Sequence, residues 1–140
     1  MSFEDLPPNW TTLPLSTPHL AGDVVDLVLK ESLRAENSML LLPCDAHDVA
    51  FPTPVVISDV DWFVADDERR EMLEAFASLE LSAVVVAVSS SRRLPEAVVE
   101  QWHSEALRAF AAVDTRLIGF FTAWPDVVEE SAAPEQAWTR

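Results

Sequence analysis

Cysteine, glycine and positive charge are all scarce in this chain, and each shortage excludes something. The single cysteine, Cys44, has no partner for an internal disulfide and cannot build a four-thiolate zinc site. That usage fits a reducing compartment, so the expected location is cytoplasmic. Only two glycines occur, Gly22 and Gly119, and the glycine-rich loops that let a backbone wrap phosphate are missing. Lysine and arginine number 9 against 24 aspartates and glutamates, a formal net charge of -15. Neutralising nucleic-acid phosphates takes a basic face, so nucleic acid is not an expected partner. An anionic membrane surface is disfavoured by the same sign. No apolar run approaches the roughly 20 residues that a bilayer-spanning helix needs. The opening MSFEDLPPNW has neither a basic nor an apolar leader segment and is not read as a secretory signal.

What is present is globular. With 140 residues, 49% of them hydrophobic and 24% charged, the chain suits one domain that buries about two-thirds of its unfolded surface. The acids are spread along the sequence, which fits a solvated surface, small ligands, metal ions or basic protein partners. An inhibitor mimicking nucleic acid would also be acidic, but it would rank its carboxylates in rows on one face.

Residues 1–17 carry Pro7, Pro8 and Pro14 between Phe3, Trp10, Leu13 and Leu15, which predicts an extended arm lying against the domain. Thr17 with Pro18 predicts the cap and first residue of a helix. Leu20, Val24, Leu27 and Val28 form its stripe, and Val25, Leu29 and Leu33 widen it. So wide an arc implies burial on more than one side, as at a subunit contact. Asn37 and Ser38 end the helix. Met39–Leu42 reads as a strand covered on both faces, and 54–57 as its hairpin partner across a polar loop. Asp66 is expected to cap a second helix with Met72, Leu73, Phe76 and Leu79 buried. Ala83–Val88 is the strongest strand and should be central. Pro95 and Glu96 open a third helix, with Val99, Trp102, Ala106, Phe110 and Val113 on its buried face. Strands follow at 117–121 and at Val127–Val128, and 129–140 reads as a loosely ordered acidic tail. Residues 18–128 are thus expected to be a single α/β domain: a three-layer mixed sheet with helices on both faces, in the order α-β-β-α-β-α-β(-β).

That order resembles two groups, the zinc deaminases with their cytidine deaminase-like fold and the JAB/MPN domains, RadC proteins in particular. Leu40–Leu42, the turn from Asp45 to Asp48 and Val55–Ile57 resemble the opening hairpin of a RadC domain. Ala75–Val86 resembles its helix leading into the central strand, and Arg116–Gly119 the strand after the long helix. Domains of this kind hold zinc through His-x-His-Pro after the central strand, completed by an Asp in the following helix. Here Ser89 and Ser91 match the histidines and Arg92 the proline. Serine hydroxyls are poor zinc ligands, and Arg92 and Arg93 would repel a dication. A deaminase needs His-x-Glu opening one helix and Pro-Cys-x-x-Cys at another, whereas His103-Ser104-Glu105 falls in mid-helix and Cys44 lies elsewhere. The resemblance implies the scaffold without its metal, and no cofactor is expected.

Three groups of side chains remain as candidates. Asp45, His47 and Asp48 combine carboxylate and imidazole as a metal site would, and a polar hairpin turn would look the same. Ser89, Ser90, Ser91, Arg92 and Arg93 lie between a central strand and a helix, where ligands and partners favour the crevice beyond the strand end. Trp62 and Trp124, like Trp10 and Trp138, fall outside the helical stripes, and exposed aromatics would mark a partner surface. Asp59, Asp61, Asp66, Asp67, Glu68 and Glu71 lack calcium-loop spacing. Cys44 reads as a buried thiol, with a Cys–His pair to His47 or His103 as the catalytic alternative. The expected function is a non-catalytic interaction or regulatory domain whose partner is another protein or itself, as a homodimer. The alternatives are an enzyme with a displaced site, either a metal hydrolase or an anion-binding transferase, and the nucleic-acid-mimicking inhibitor.

Overall fold

The computed structural model describes residues 2–132. Two helices, α1 (Leu20–Val28) and α2 (Glu31–Arg34), precede the hairpin β1 (Met39–Cys44) and β2 (Val55–Ile57). Then come α3 (Asp66–Ala77), β3 (Ala83–Ser89), α4 (Glu96–Ala111), β4 (Arg116–Trp124) and β5 (Val127–Glu130). The five strands form one mixed sheet ordered β2-β1-β3-β4-β5. Only β3 and β4 run parallel; the other three pairings are antiparallel. The α/β fold, the opening hairpin and the central position of β3 are as the sequence predicts. Among the described residues no helix is long and apolar enough to cross a membrane.

All seven residues of β3 are buried because both sheet faces are covered. Strand parity then divides the core in two. Met39, Leu41, Val84, Val86, Val88 and Phe120 face α3 and α4, where they meet Trp62, Leu73, Trp102 and Phe110. Leu40, Leu42, Ala83, Val85, Ala87 and Phe121 face the other way, against Leu20, Val24, Val25 and Leu29 of the α1 region. Between Val84 and Val85 the β3–β4 register slips by one residue, so Ile118 and Gly119 both fall opposite that step. A side chain at Gly119 would place its Cβ 2.9 Å from the ring of buried Phe121. Glycine at the bulge therefore leaves room for the Phe121 ring.

Several expectations are corrected. The arm is not extended, because Phe3–Asp5 and Trp10–Thr12 are 3-10 turns. Proline's fixed φ lies within the range of such turns, and Pro7 supplies the carbonyl that accepts from the Trp10 amide at 3.1 Å. Leu6, Trp10 and Leu13 pack on the α1 side of the core. Asp23 and Asp26 of α1 accept from the amides of Ser2 and Phe3, each at 2.8 Å. The second side of the broad apolar arc is thus covered by the chain's own arm.

Helix α1 starts at Leu20 rather than at Pro18, because His19 takes a left-handed conformation with φ 67°. It also stops at Val28 instead of running to Asn37. Lys30 is extended, and α2 begins one residue later. The break is held by Arg34, which is only 3% exposed. Its Nε donates to the Leu29 carbonyl at 2.6 Å, and its Nη2 donates to the carbonyl and carboxylate of Asp26. The guanidinium thereby replaces donors that a continuous helix would have supplied.

Asp66 is the first residue of α3 and not its cap; Ala65 precedes it without a side-chain bond. The Asp66 carboxylate instead accepts from Arg69 Nη1 at 2.8 Å. Leu79 and Val113 lie past the ends of their helices and are exposed. Glu129 and Glu130 belong to β5, not to a loose tail. Residues 133–140 and Trp138 lie outside the described residues.

Candidate functional site

The loop from Asp45 to Asp48 is built as a turn. Asp45 Oδ1 accepts from the amides of His47 at 2.8 Å and Val49 at 3.1 Å. These two bonds, the Val49 one leading, hold its carboxyl below the ordinary range. Asp48 adopts φ 66°, and its carbonyl receives the Leu15 amide at 2.7 Å, tying the arm to the turn. Its buried Oδ1 forms an ion pair with Arg116 Nη1 without hydrogen-bond geometry. His47 is exposed. Among the described residues no three His, Cys, Asp or Glu side chains are grouped as a metal ion would require.

Cys44 is fully buried, and burial, followed by the charges of Asp48 and Asp45, pushes its thiol up to about 12. The thiolate that nucleophilic chemistry needs is therefore suppressed. Cys44 lies in the α1-side core, whereas His103 stacks on Phe120 in the α4-side core at 4.6 Å. The sheet stands between them, so they cannot form a pair. Burial lowers the His103 pKa to about 4, and its Nδ1 shares a 3.0 Å hydrogen bond with Ser131 Oγ.

The serine–arginine stretch divides into an inner and an outer part. Ser89 is the last residue of β3 and is completely buried. Its hydroxyl accepts from the Ser38 amide at 3.0 Å and donates to the Ser38 carbonyl at 3.1 Å. Ser90, 6% exposed, hydrogen-bonds through its hydroxyl to the backbone of Arg92, and its amide donates to the Ala123 carbonyl. Ser91, Arg92 and Arg93 are exposed. Arg93 Nη2 reaches Glu129 Oε1 at 2.9 Å, and its guanidinium lies 5.6 Å above the Trp124 ring.

Trp62 is not a surface aromatic. It is 2% exposed, donates from Nε1 to the Ser89 carbonyl at 2.8 Å, and meets Trp102 edge to face at 5.0 Å. Trp124 is half-buried under Arg93. The exposed ring is the neighbouring Phe63, 69% accessible. Phe63 and the Ser90–Arg93 loop line one crevice of about 280 Å³ at the carboxyl end of β3. The Ser–Arg loop therefore meets the Asp61–Phe63 segment, while the Asp45 turn lies elsewhere, against Arg116 and the arm.

One feature escapes a reading of the sequence. A second cavity adjoins the loop, lined by Arg93, Glu96, Glu100, Thr122 and Glu129. Its residues come from three elements, so no local motif announces them. The available signal was Thr122, a polar residue within an apolar strand. In comparisons with known proteins the chain matches no family model, no curated protein and no solved structure.

Proposed function

We propose that this chain is a non-catalytic interaction or regulatory domain on a metal-free scaffold resembling the JAB/RadC domains. The hairpin-first order of strands and the parallel β3–β4 pair support the scaffold likeness. The observation that carries the functional half is Ser89. It occupies the position of the first metal-binding histidine in that resemblance, and its hydroxyl is held on both sides by the Ser38 backbone. No lone pair is left facing solvent there. The Asp45 carboxylate is likewise engaged by its own turn, and the Cys44 thiol is held protonated.

The binding surface in this reading is the crevice between Phe63 and the loop of Ser91 and Arg92. An exposed ring beside a guanidinium suits an apolar side chain flanked by a carboxylate. The partner is another protein or a second copy of this acidic chain.

The test is the metal content of protein purified without a histidine tag, joined to thermal melts with zinc, manganese and calcium. The expected result is no retained ion and no change in Tm. One tightly held ion per chain would overturn the reading and direct attention to Asp45, His47 and Asp48.

A further inference from the structure

We propose that the cavity between the start of α4 and the β4–β5 ladder binds a primary ammonium group carried on a short alkyl chain. The cavity measures about 230 Å³. At about 30 Å³ per water it has room for roughly seven waters, hence for an amine of a few heavy atoms. Its rim is acidic: Glu96 and Glu100 lie one turn apart on α4, and Glu129 comes from β5. Its wall is apolar, formed by Leu94 and Val99, each 7% exposed. One cation is already present, Arg93, which occupies Oε1 of Glu129.

Thr122 supplies the independent observation. It is 4% exposed and lines the cavity, and it stands directly across the ladder from Glu129. Parity puts it on the same face as Phe120, toward α4. Its hydroxyl has no hydrogen-bond partner among the described residues. A buried hydroxyl without a partner is unfavourable, and a bound donor would relieve it. An ammonium has three donors and no acceptor. It can therefore give one hydrogen to Thr122 Oγ1 and the others to carboxylates of the rim, while its alkyl chain lies on Leu94 and Val99.

A metal ion fits less well. The acids surround a volume and do not converge, and among the described residues no group of three ligands is placed to hold an ion. The cavity shares Arg93 and Leu94 with the Phe63 crevice but does not need a partner there. The two readings can fail separately.

The experiment is a titration of the full nitrogen-15-labelled chain with n-butylammonium chloride at constant ionic strength, followed by amide chemical shifts, with n-butanol as the uncharged control. Saturable shifts should be confined to residues around Val99, Glu100, Thr122 and Ser131 and be absent with butanol. Thr122→Val keeps the shape and removes the hydroxyl; it should weaken binding roughly tenfold without lowering Tm. Glu100→Gln combined with Glu129→Gln should abolish it. No saturation by about 10 mM, well above a millimolar site, would overturn the proposal. So would an equal response to butanol, or unchanged affinity in Thr122→Val. Nα-acetyl-lysine amide, whose ε-ammonium is free, separates the two sources of the group: tighter binding than n-butylammonium identifies a partner's lysine side chain, and weaker binding identifies a free amine. Either result retains the ammonium site.

Discussion

Among the described residues four buried tryptophan and phenylalanine rings, Trp62, Trp102, Phe110 and Phe120, fill the α3–α4 side of the sheet, whereas the α1 side has one, Phe121, beside the half-buried Trp10, and relies on a buried arginine. The first side is made by helices of 12 and 16 residues, long enough to present a continuous stripe. The second is made by helices of nine and four residues with an arm laid over them. Helices that short are marginal alone, and Arg34 binds them together. Besides the α1 carbonyls, its Nη1 donates to the Trp124 and Pro125 carbonyls at 3.3 and 3.1 Å, so one side chain ties α1, α2 and the β4–β5 turn. One face is held by area, the other by direction.

The largest effect should come from Trp102→Ala. Trp102 is fully buried and donates from Nε1 to the Trp62 carbonyl at 2.9 Å. Its loss should cost about 3–5 kcal/mol in urea unfolding. A cost below about 2 kcal/mol would mean that the ring face relaxes easily, and the contrast would weaken. Arg34→Met should cost about 2–4 kcal/mol, because buried carbonyls and the Asp26 carboxylate lose their donor. Hydrogen exchange should then quicken in α1 and α2 while α4 stays protected. Uniform loosening would break the comparison.

The third test is acid. His103 is neutral on the ring face, with its pKa depressed to about 4 by burial, against an ordinary value of 6.5. Between those values the unfolded chain binds more protons. Stability is therefore full above pH 6.5 and falls as pH drops toward 4, by at most about 3 kcal/mol. His103→Gln should remove that part of the slope in paired denaturation curves; an unchanged slope would refute the assignment. The smallest effect should be Gly119→Ala, about 1–2 kcal/mol from crowding Phe121. A neutral result in thermal melts would show that the α1 side accommodates the extra carbon by sliding.

What could be read from the sequence follows the same division. Ala83–Val88, the stripe of α4 and the hairpin rest on apolarity alone, so periodicity finds them. The break after Leu29 depends on a side chain five residues later that also bonds carbonyls 90 and 91 residues away. The burial of Trp62 is not legible locally, because its indole partner, the Ser89 carbonyl, is 27 residues distant. The Ser90–Arg93 loop was identifiable because a strand end next to a helix is favoured ground for sites. The acidic cavity needed α4, β4 and β5 placed together.

The rims of the sheet decide how this molecule can meet its own kind. One rim is β5, four residues ending in Glu129 and Glu130. The other is β2, three residues preceded by Pro52 and Pro54. Charge on one rim, with brevity and flanking proline on the other, blunts the main-chain template that a further strand would need. Copies crowded together should not zip into a continuous sheet or seed fibres through these rims. Association between copies would then run through side chains and not through an extended sheet.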